Sequence, residues 1–243
     1  MHILITRPEP DASVWRTHLE ARGVATTLDP LLKIEHVFPA ELDLTGVQAV
    51  IATSRNGLRG LAFSPLKSQV SALPLFAVGP GTAELARELG FRQVHIGPAS
   101  ARELAGVIVG MAKPGGGRLL HFSGDKIAFD LAAVLTPAGL TLDRCIVYRS
   151  RPAGTLKAAT LAGLASGAID TVMLMSPLSA ATFVRLTTAA GLIEQCQQLG
   201  YLCLSHNVAA GLQGLTPGLV HVAQAPNSDD MLALIEQCAA QPN

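Results

Sequence analysis

Cysteine is scarce and scattered in this chain. Cys145, Cys196, Cys203 and Cys238 are the only four; none forms a CxxC pair and no histidine cluster offers zinc spacing. That excludes a zinc-held fold or a disulfide scaffold and leaves reduced, buried thiols as the expectation. Aromatic residues are 4% of the sequence, so the cores must be aliphatic. Charge of one sign is not in excess: Lys+Arg and Asp+Glu both number 18. Without a basic stripe a nucleic-acid partner is not expected. No uncharged apolar run reaches the roughly 18 residues of a membrane span, so no membrane partner is expected either. The opening Met1-His2-Ile3-Leu4-Ile5-Thr6-Arg7-Pro8 reads as a strand and a turn and lacks the charged start and long apolar run of an export signal. The cytoplasm is the expected compartment.

Familiar catalytic signatures are absent too. Gly79-Pro80-Gly81-Thr82 lacks the third glycine of a dinucleotide fingerprint, since Glu84 stands in its place. Gly115-Gly116-Gly117-Arg118 precedes a strand where a phosphate loop would follow one, and neither GxSxG nor HExxH occurs. A reaction here is expected to use no metal and no cofactor, and to rely on shape and backbone donors.

What is present is a regular alternation. Hydrophobic residues make up 49% of the 243 residues, enough for two modest cores. Short apolar runs (Ile3–Thr6, Val24–Leu28, Ala49–Ala52, Leu75–Val78, Val94–Ile96, Arg118–His121, Leu140–Tyr148, Thr171–Met175, Tyr201–Leu204, Val220–Val222) are separated by helical patterns such as Asp11–Arg22, Asn56–Ala62, Gly81–Leu89 and Ile127–Leu135. Strands joined by single helices imply parallel sheets covered on both faces, an α/β architecture. The chain also repeats itself. Ile3-Leu4-Ile5-Thr6 resembles Leu119-Leu120-His121-Phe122, Ala49–Ser54 resembles Thr171–Ser176, and Phe76–Gly79 resembles Leu202–Ser205, in one order, which argues for duplication.

Ligands of such sheets bind beyond the carboxyl ends of the strands. Those ends carry Thr6-Arg7, Thr53-Ser54-Arg55-Asn56, Gly79-Pro80-Gly81-Thr82, Gly97-Pro98-Ala99-Ser100 with Ala101, Ser123-Gly124-Asp125-Lys126, Ser176-Pro177-Leu178-Ser179 and Ser205-His206-Asn207. The plain account is that Ser, Thr and Asn cap the helices that follow. The functional account adds that many helix N-termini on one side of two sheets would attract a polyanion without a basic surface. On that account substrate contacts are expected from Arg7, Thr53, Ser54, Arg55, Asn56, Gly79, Gly81, Thr82, Ser100, Ala101, Ser123, Gly124, Ser176, Ser179, Ser205 and His206. One further side chain stands apart. Tyr148, one of two tyrosines, ends a long apolar strand. It is either an amphipathic ring packed at a strand end or a phenol able to donate a proton.

The segments Ile5-Thr6-Arg7-Pro8, Ala52-Thr53-Ser54-Arg55-Asn56-Gly57, Phe76–Ala83, Val147-Tyr148-Arg149, Met175–Ala180, Leu204–Ala209 and Ala225–Ser228 together resemble the uroporphyrinogen-III synthase family over nearly the whole chain. The resemblance implies two flavodoxin-like domains with parallel sheets, joined by a two-strand linker: residues 1–36 with 152–243, and an inserted domain of residues 37–151. It implies that the linear tetrapyrrole hydroxymethylbilane, an eight-carboxylate small molecule, loses water and closes with inversion of its last pyrrole, without a cofactor. By the same resemblance Tyr148 is the counterpart of the tyrosine thought to assist hydroxyl loss, the protein is a monomer, and the substrate lies in a cleft. Where the family often carries a hydroxyl-rich Gly-Pro-Thr type segment, this chain has Ser205-His206-Asn207. The alternative is a non-catalytic two-domain protein that closes on a small acidic ligand.

Overall fold

Eleven strands occur among the described residues. In chain order they are β1 (His2–Ile5), β2 (Ala25–Leu28), β3 (Leu32–His36), β4 (Val47–Ala52), β5 (Leu75–Val78), β6 (Val94–Gly97), β7 (Arg118–Gly124), β8 (Thr141–Pro152), β9 (Thr171–Leu174), β10 (Gly200–Cys203) and β11 (Leu219–Val222). The structure, a computed structural model, describes residues 1–98 and 100–240; Ala99, named above at a strand end, and residues 241–243 lie outside the described residues. The chain divides into two compact units, Met1–Lys33 with Arg151–Asn243, and Ile34–Ser150. The divisions fall inside β3 and β8, three residues and one residue before the expected ones.

In the first unit the sheet order is β11-β10-β9-β1-β2, and every neighbouring pair is parallel. The central run Ile3-Leu4-Ile5 has no exposure at all because both faces of β1 are covered. Side chains alternate across a strand, so Ile3 and Ile5 join Trp15, Leu19, Met173 and Ile235 in one apolar layer. Leu4 joins Val172, Leu174, Phe183 and Tyr201 in the other. Each such aliphatic side chain contributes about 1.5–3 kcal/mol on burial.

The second unit has the order β3-β8-β7-β4-β5-β6. Pairs β4–β5, β4–β7, β5–β6 and β7–β8 are parallel. Val50 and Ala52 face Leu58, Leu120, Phe122 and Val147. Ala49 and Ile51 face Leu104, Ile108 and Leu119 on the opposite side.

Both sheets follow one plan. Numbered within its unit, the first sheet runs 2-1-3-4-5, the flavodoxin-like order. The second runs the same way with β7, β8, β4, β5 and β6 in the places of β1, β2, β9, β10 and β11. These pairings match the repeats in the sequence, where β1 aligns with β7, β4 with β9 and β5 with β10. Each half of the chain therefore contributes two of these strands to one unit and three to the other.

Several elements depart from their expected form. The helix expected over Asn56–Ala62 stops at Arg59 and continues as a 3-10 turn, Gly60–Phe63. Of the helix expected over Ile127–Leu135 only Ala132–Leu135 forms, with Asp130 Oδ1 accepting from the Ala132 amide at 3.0 Å. Helices Lys67–Ser71 and Ile193–Gln197 were not expected; strand β3, which the pattern of apolar runs does not mark, stands where the resemblance puts one of the two linker strands. All four cysteines are free; Cys196 and Cys203 are buried, and burial pushes their thiols up to about 11 and about 12.

Candidate active site

In the second unit, neighbouring strands β8, β7 and β4 bring their carboxyl ends side by side. After β4 the chain runs through Thr53 and Ser54 into the short helix Asn56–Arg59, whose N-cap is Arg55 with no side-chain capping bond. The capping expected of this segment does not occur. Ser54 instead turns its hydroxyl to Tyr148, with Oγ 3.3 Å from the phenol oxygen. Thr53 Oγ1 lies 3.2 Å from Nε2 of His121 on β7. The helix sits close on β7 because Gly57 has no Cβ, which would lie 2.7 Å from the Phe122 carbonyl oxygen. Gly124 performs the same service for Tyr148: a Cβ there would be 2.7 Å from two ring atoms of the phenol. The hydroxyl end of the ring thus lies close against the end of β7.

Behind this surface stands a polar support. Arg144 Nε donates to Ser123 Oγ at 2.8 Å, and Nη2 donates to the carbonyls of Gly124 and, at 2.9 Å, Asp125. Asp125 donates its amide to the Tyr148 carbonyl at 3.1 Å, and its carboxylate accepts from the Ser150 amide at 3.2 Å. His121 is only 3% exposed, and its imidazole is lowered to about 4 by burial and, secondarily, by the Arg144 charge. At neutral pH it is an uncharged partner of Thr53.

The remaining expected residues divide into groups. Asn56 Oδ1 accepts from Arg59 at 2.6 Å, and Arg55 is half-buried. Gly79 opens the helix Gly79–Glu88 without a side-chain cap; Gly81 is exposed and Thr82 is buried. Ser100 closes a capping box with Glu103 ahead of Ala101, so its hydroxyl is occupied. Ser123 is buried and bound by Arg144, which removes it from any substrate-facing surface. In the first unit Arg7 pairs with Asp11 at 2.9 Å. Ser176 caps its helix through the Ser179 amide at 3.1 Å, and Ser179 is itself buried. Ser205 accepts from the Val208 amide at 3.4 Å, while His206 is exposed.

Helix N-termini are fewer anion sites than the sequence suggests. Asp11, Glu103 and Asp229 with Asp230 stand in the first turns of three longer helices, and the Asp29 carboxylate takes the Lys157 amide at the start of Ala158–Ala165. Such carboxylates already offset the partial positive charge there. Gly79–Glu88 and Pro177–Ala189 have no acidic residue in the first turn. No group of His, Cys, Asp or Glu able to hold a metal ion occurs among the described residues. An open hollow of about 280 Å³, lined by His36, Phe38, Gly60, Phe63 and Pro65 among others, shares no residue with the Tyr148 cluster.

His121 and Arg144 were not expected as site residues. One signal was available for each. His121 occupies the repeat position of Ile5, which is fully buried, so a polar residue stands where the other copy has core. Arg144 stands directly before the apolar Cys145-Ile146-Val147 of β8, beside a second charge, Asp143.

The sequence profile of the family described as Uroporphyrinogen-III synthase HemD matches residues 13–233. Among solved structures, the fold is similar to uroporphyrinogen-III synthetase from Helicobacter pylori 26695, with TM-score 0.65 and 18% identity over 98% of this chain and 99% of that one. It is also similar to a mutant uroporphyrinogen III synthase from the extremely thermophilic bacterium Thermus thermophilus, with TM-score 0.56 and 17% identity over 100% of both chains. No curated protein sequence matches. The structural likeness speaks for the fold, and the profile match, over most of the chain, speaks for descent. The chain belongs to the uroporphyrinogen-III synthase family, cyclising hydro-lyases of heme biosynthesis.

Proposed function

We propose that this chain cyclises hydroxymethylbilane to uroporphyrinogen III at the carboxyl ends of β4, β7 and β8, with Tyr148 assisting departure of the hydroxyl. The observation that carries the reading is the phenol of Tyr148, seated on Gly124 and 3.3 Å from Ser54 Oγ at the ends of adjoining strands. The electron-rich pyrrole expels the hydroxyl with its own electrons, so the protein need only supply a proton to make water of it. Either hydroxyl can be the donor between Ser54 and Tyr148; with Ser54 donating to the phenol oxygen, the phenol O–H is free to point at the departing group. The ring that closes is then decided by how the flexible substrate is folded, a matter of proximity. Carboxylates of the substrate meet backbone amides at the start of Gly79–Glu88, in the same unit as Tyr148, where no acidic residue occupies the first turn. The reading extends to a monomer in the cytoplasm. Free thiols at all four cysteines suit a reducing compartment. Exposed large apolar side chains such as Val14, Phe63 and Met111 are spread over several elements, with no more than two on any one, which suits a single copy.

Incubation with freshly made hydroxymethylbilane, followed by identification of the cyclised isomer, tests the reaction. The inverted isomer is expected, and release of the uninverted ring alone would reject it. Tyr148→Phe tests the assignment: kcat falls by about 10²–10⁴-fold with KM nearly unchanged, because the packed ring remains. A Phe variant turning over at the normal rate would make Tyr148 a packing residue.

A further inference from the structure

Tyr148 does not face where a regular strand would send it. Residues two apart share a face of a strand. Cys145 and Val147 pack in the layer with Phe122, while Ile146 points the other way and is 42% exposed. Tyr148 should follow Ile146. It packs instead in the same layer as Val147, its immediate neighbour.

The register explains this. Ser123 pairs with Ile146, yet the next residue, Gly124, pairs with Tyr148, so Val147 is one residue too many on β8. A bulge of this kind turns the following side chain to the opposite face. Arg144 holds the partner strand in the matching shape. Successive carbonyls of an extended strand point to opposite sides. Here the carbonyls of Gly124 and Asp125 both meet Nη2 of Arg144, so β7 has turned at that point. Nε of the same guanidinium holds Ser123, and Asp125, thus placed, binds the Tyr148 carbonyl and the Ser150 amide. The fork geometry of an arginine is needed, since a single donor could not meet all three oxygens.

We infer that Arg144 is a positioning residue for the reaction: it fixes the β7 end in the bulged register that turns Tyr148 toward Ser54. The inference rests on the proposed role of Tyr148, and the test separates the two. Arg144→Met is made in the wild-type and Tyr148→Phe backgrounds, and kcat and KM are measured with hydroxymethylbilane. In the wild-type background kcat falls by about 10–100-fold with KM changed less than about threefold; in the Tyr148→Phe background kcat falls by less than about twofold. Equal losses in both backgrounds overturn the inference. Arg144→Lys serves as the second variant if Arg144→Met does not fold, and the same pattern is expected of it.

A second readout does not depend on turnover. The chain has two tyrosines, so protein labelled with 3-fluorotyrosine gives two fluorine resonances, of which Tyr148→Phe identifies one. Either Arg144 variant shifts or broadens the Tyr148 signal and leaves that of Tyr201, buried in the first unit, in place. An unmoved Tyr148 signal overturns the inference. If wild-type protein makes no uroporphyrinogen III, or Tyr148→Phe is fully active, the functional reading falls, and the fluorine spectrum alone decides whether Arg144 holds the bulge.

Discussion

A histidine only 3% exposed on a central strand has to be neutral, and His121 stays neutral at a cost in acid stability. Its pKa falls from the ordinary 6.5 to about 4, burial being the larger cause and Arg144 the smaller. The sign follows from proton counting: between pH 6.5 and about 4 the unfolded chain binds a proton that the folded chain refuses. The stability involved is complete above pH 6.5 and is lost as pH drops toward 4, by about 3 kcal/mol in all. Denaturant melts at about pH 7 and about pH 4.5 are therefore expected to differ less for His121→Leu than for the wild type. An unchanged difference would mean that other groups carry the acid sensitivity. Single residues also mark how far the sequence could be read. Ser54 and Tyr148 were legible as polar residues at strand ends. Their facing one another was not, because that depends on a register slip of one residue and on the missing Cβ of Gly124. Capping by Ser100, Ser176 and Ser205 was legible since it is local; the same reasoning failed at Ser54, whose hydroxyl is drawn to a partner 94 positions away.

At the scale of elements, two glycines hold the site together in different ways. A methyl group at Gly124 would press on the far end of the Tyr148 side chain, which can swing aside. One at Gly57 would press on the Phe122 carbonyl, which cannot move without β7. Gly124→Ala is thus expected to leave Tm within a few degrees of the wild type while kcat drops to the level of Tyr148→Phe. Gly57→Ala is expected to destabilise by about 1–3 kcal/mol as the short helix lifts from the sheet. Thermal melts alongside initial rates distinguish them, and a Gly124→Ala protein with normal turnover would contradict the seating of the phenol. The elements that the sequence revealed well are those buried on both faces, such as β1, β4 and β9, which read as short apolar runs. Strand β3, Leu32-Lys33-Ile34-Glu35-His36, lies at the sheet edge and carries charges, so its pattern is indistinct. The helix expected after Asn56 breaks at Gly60, where the backbone lies against Phe38 and His36, a tertiary contact that local pattern does not encode.

Over the whole molecule, the sequence repeat and the two units do not coincide. The first half of the chain supplies β1 and β2 to one sheet and β4, β5 and β6 to the other, and the second half reciprocates. The repeat was visible in the sequence; the exchange emerges only from the sheet orders. Neither half can complete a sheet alone. A cut in the exposed Gly115–Gly116 turn is expected to give two fragments, 1–115 and 116–243, that are unfolded apart and regain both sheets when mixed. Circular dichroism of each fragment and of the mixture checks this, and a fragment that melts cooperatively by itself would contradict it. During synthesis the same exchange becomes a delay. Strand β1 leaves the ribosome ahead of both its neighbours and β2 follows by Leu28, but its other neighbour, β9, begins at Thr171, 171 − 28 = 143 residues later. At about 5–20 residues per second the wait is roughly 7–30 s. The second unit can close within that interval, while Ile3, Leu4 and Ile5, fully buried in the finished protein, stand with one side of their sheet unbuilt.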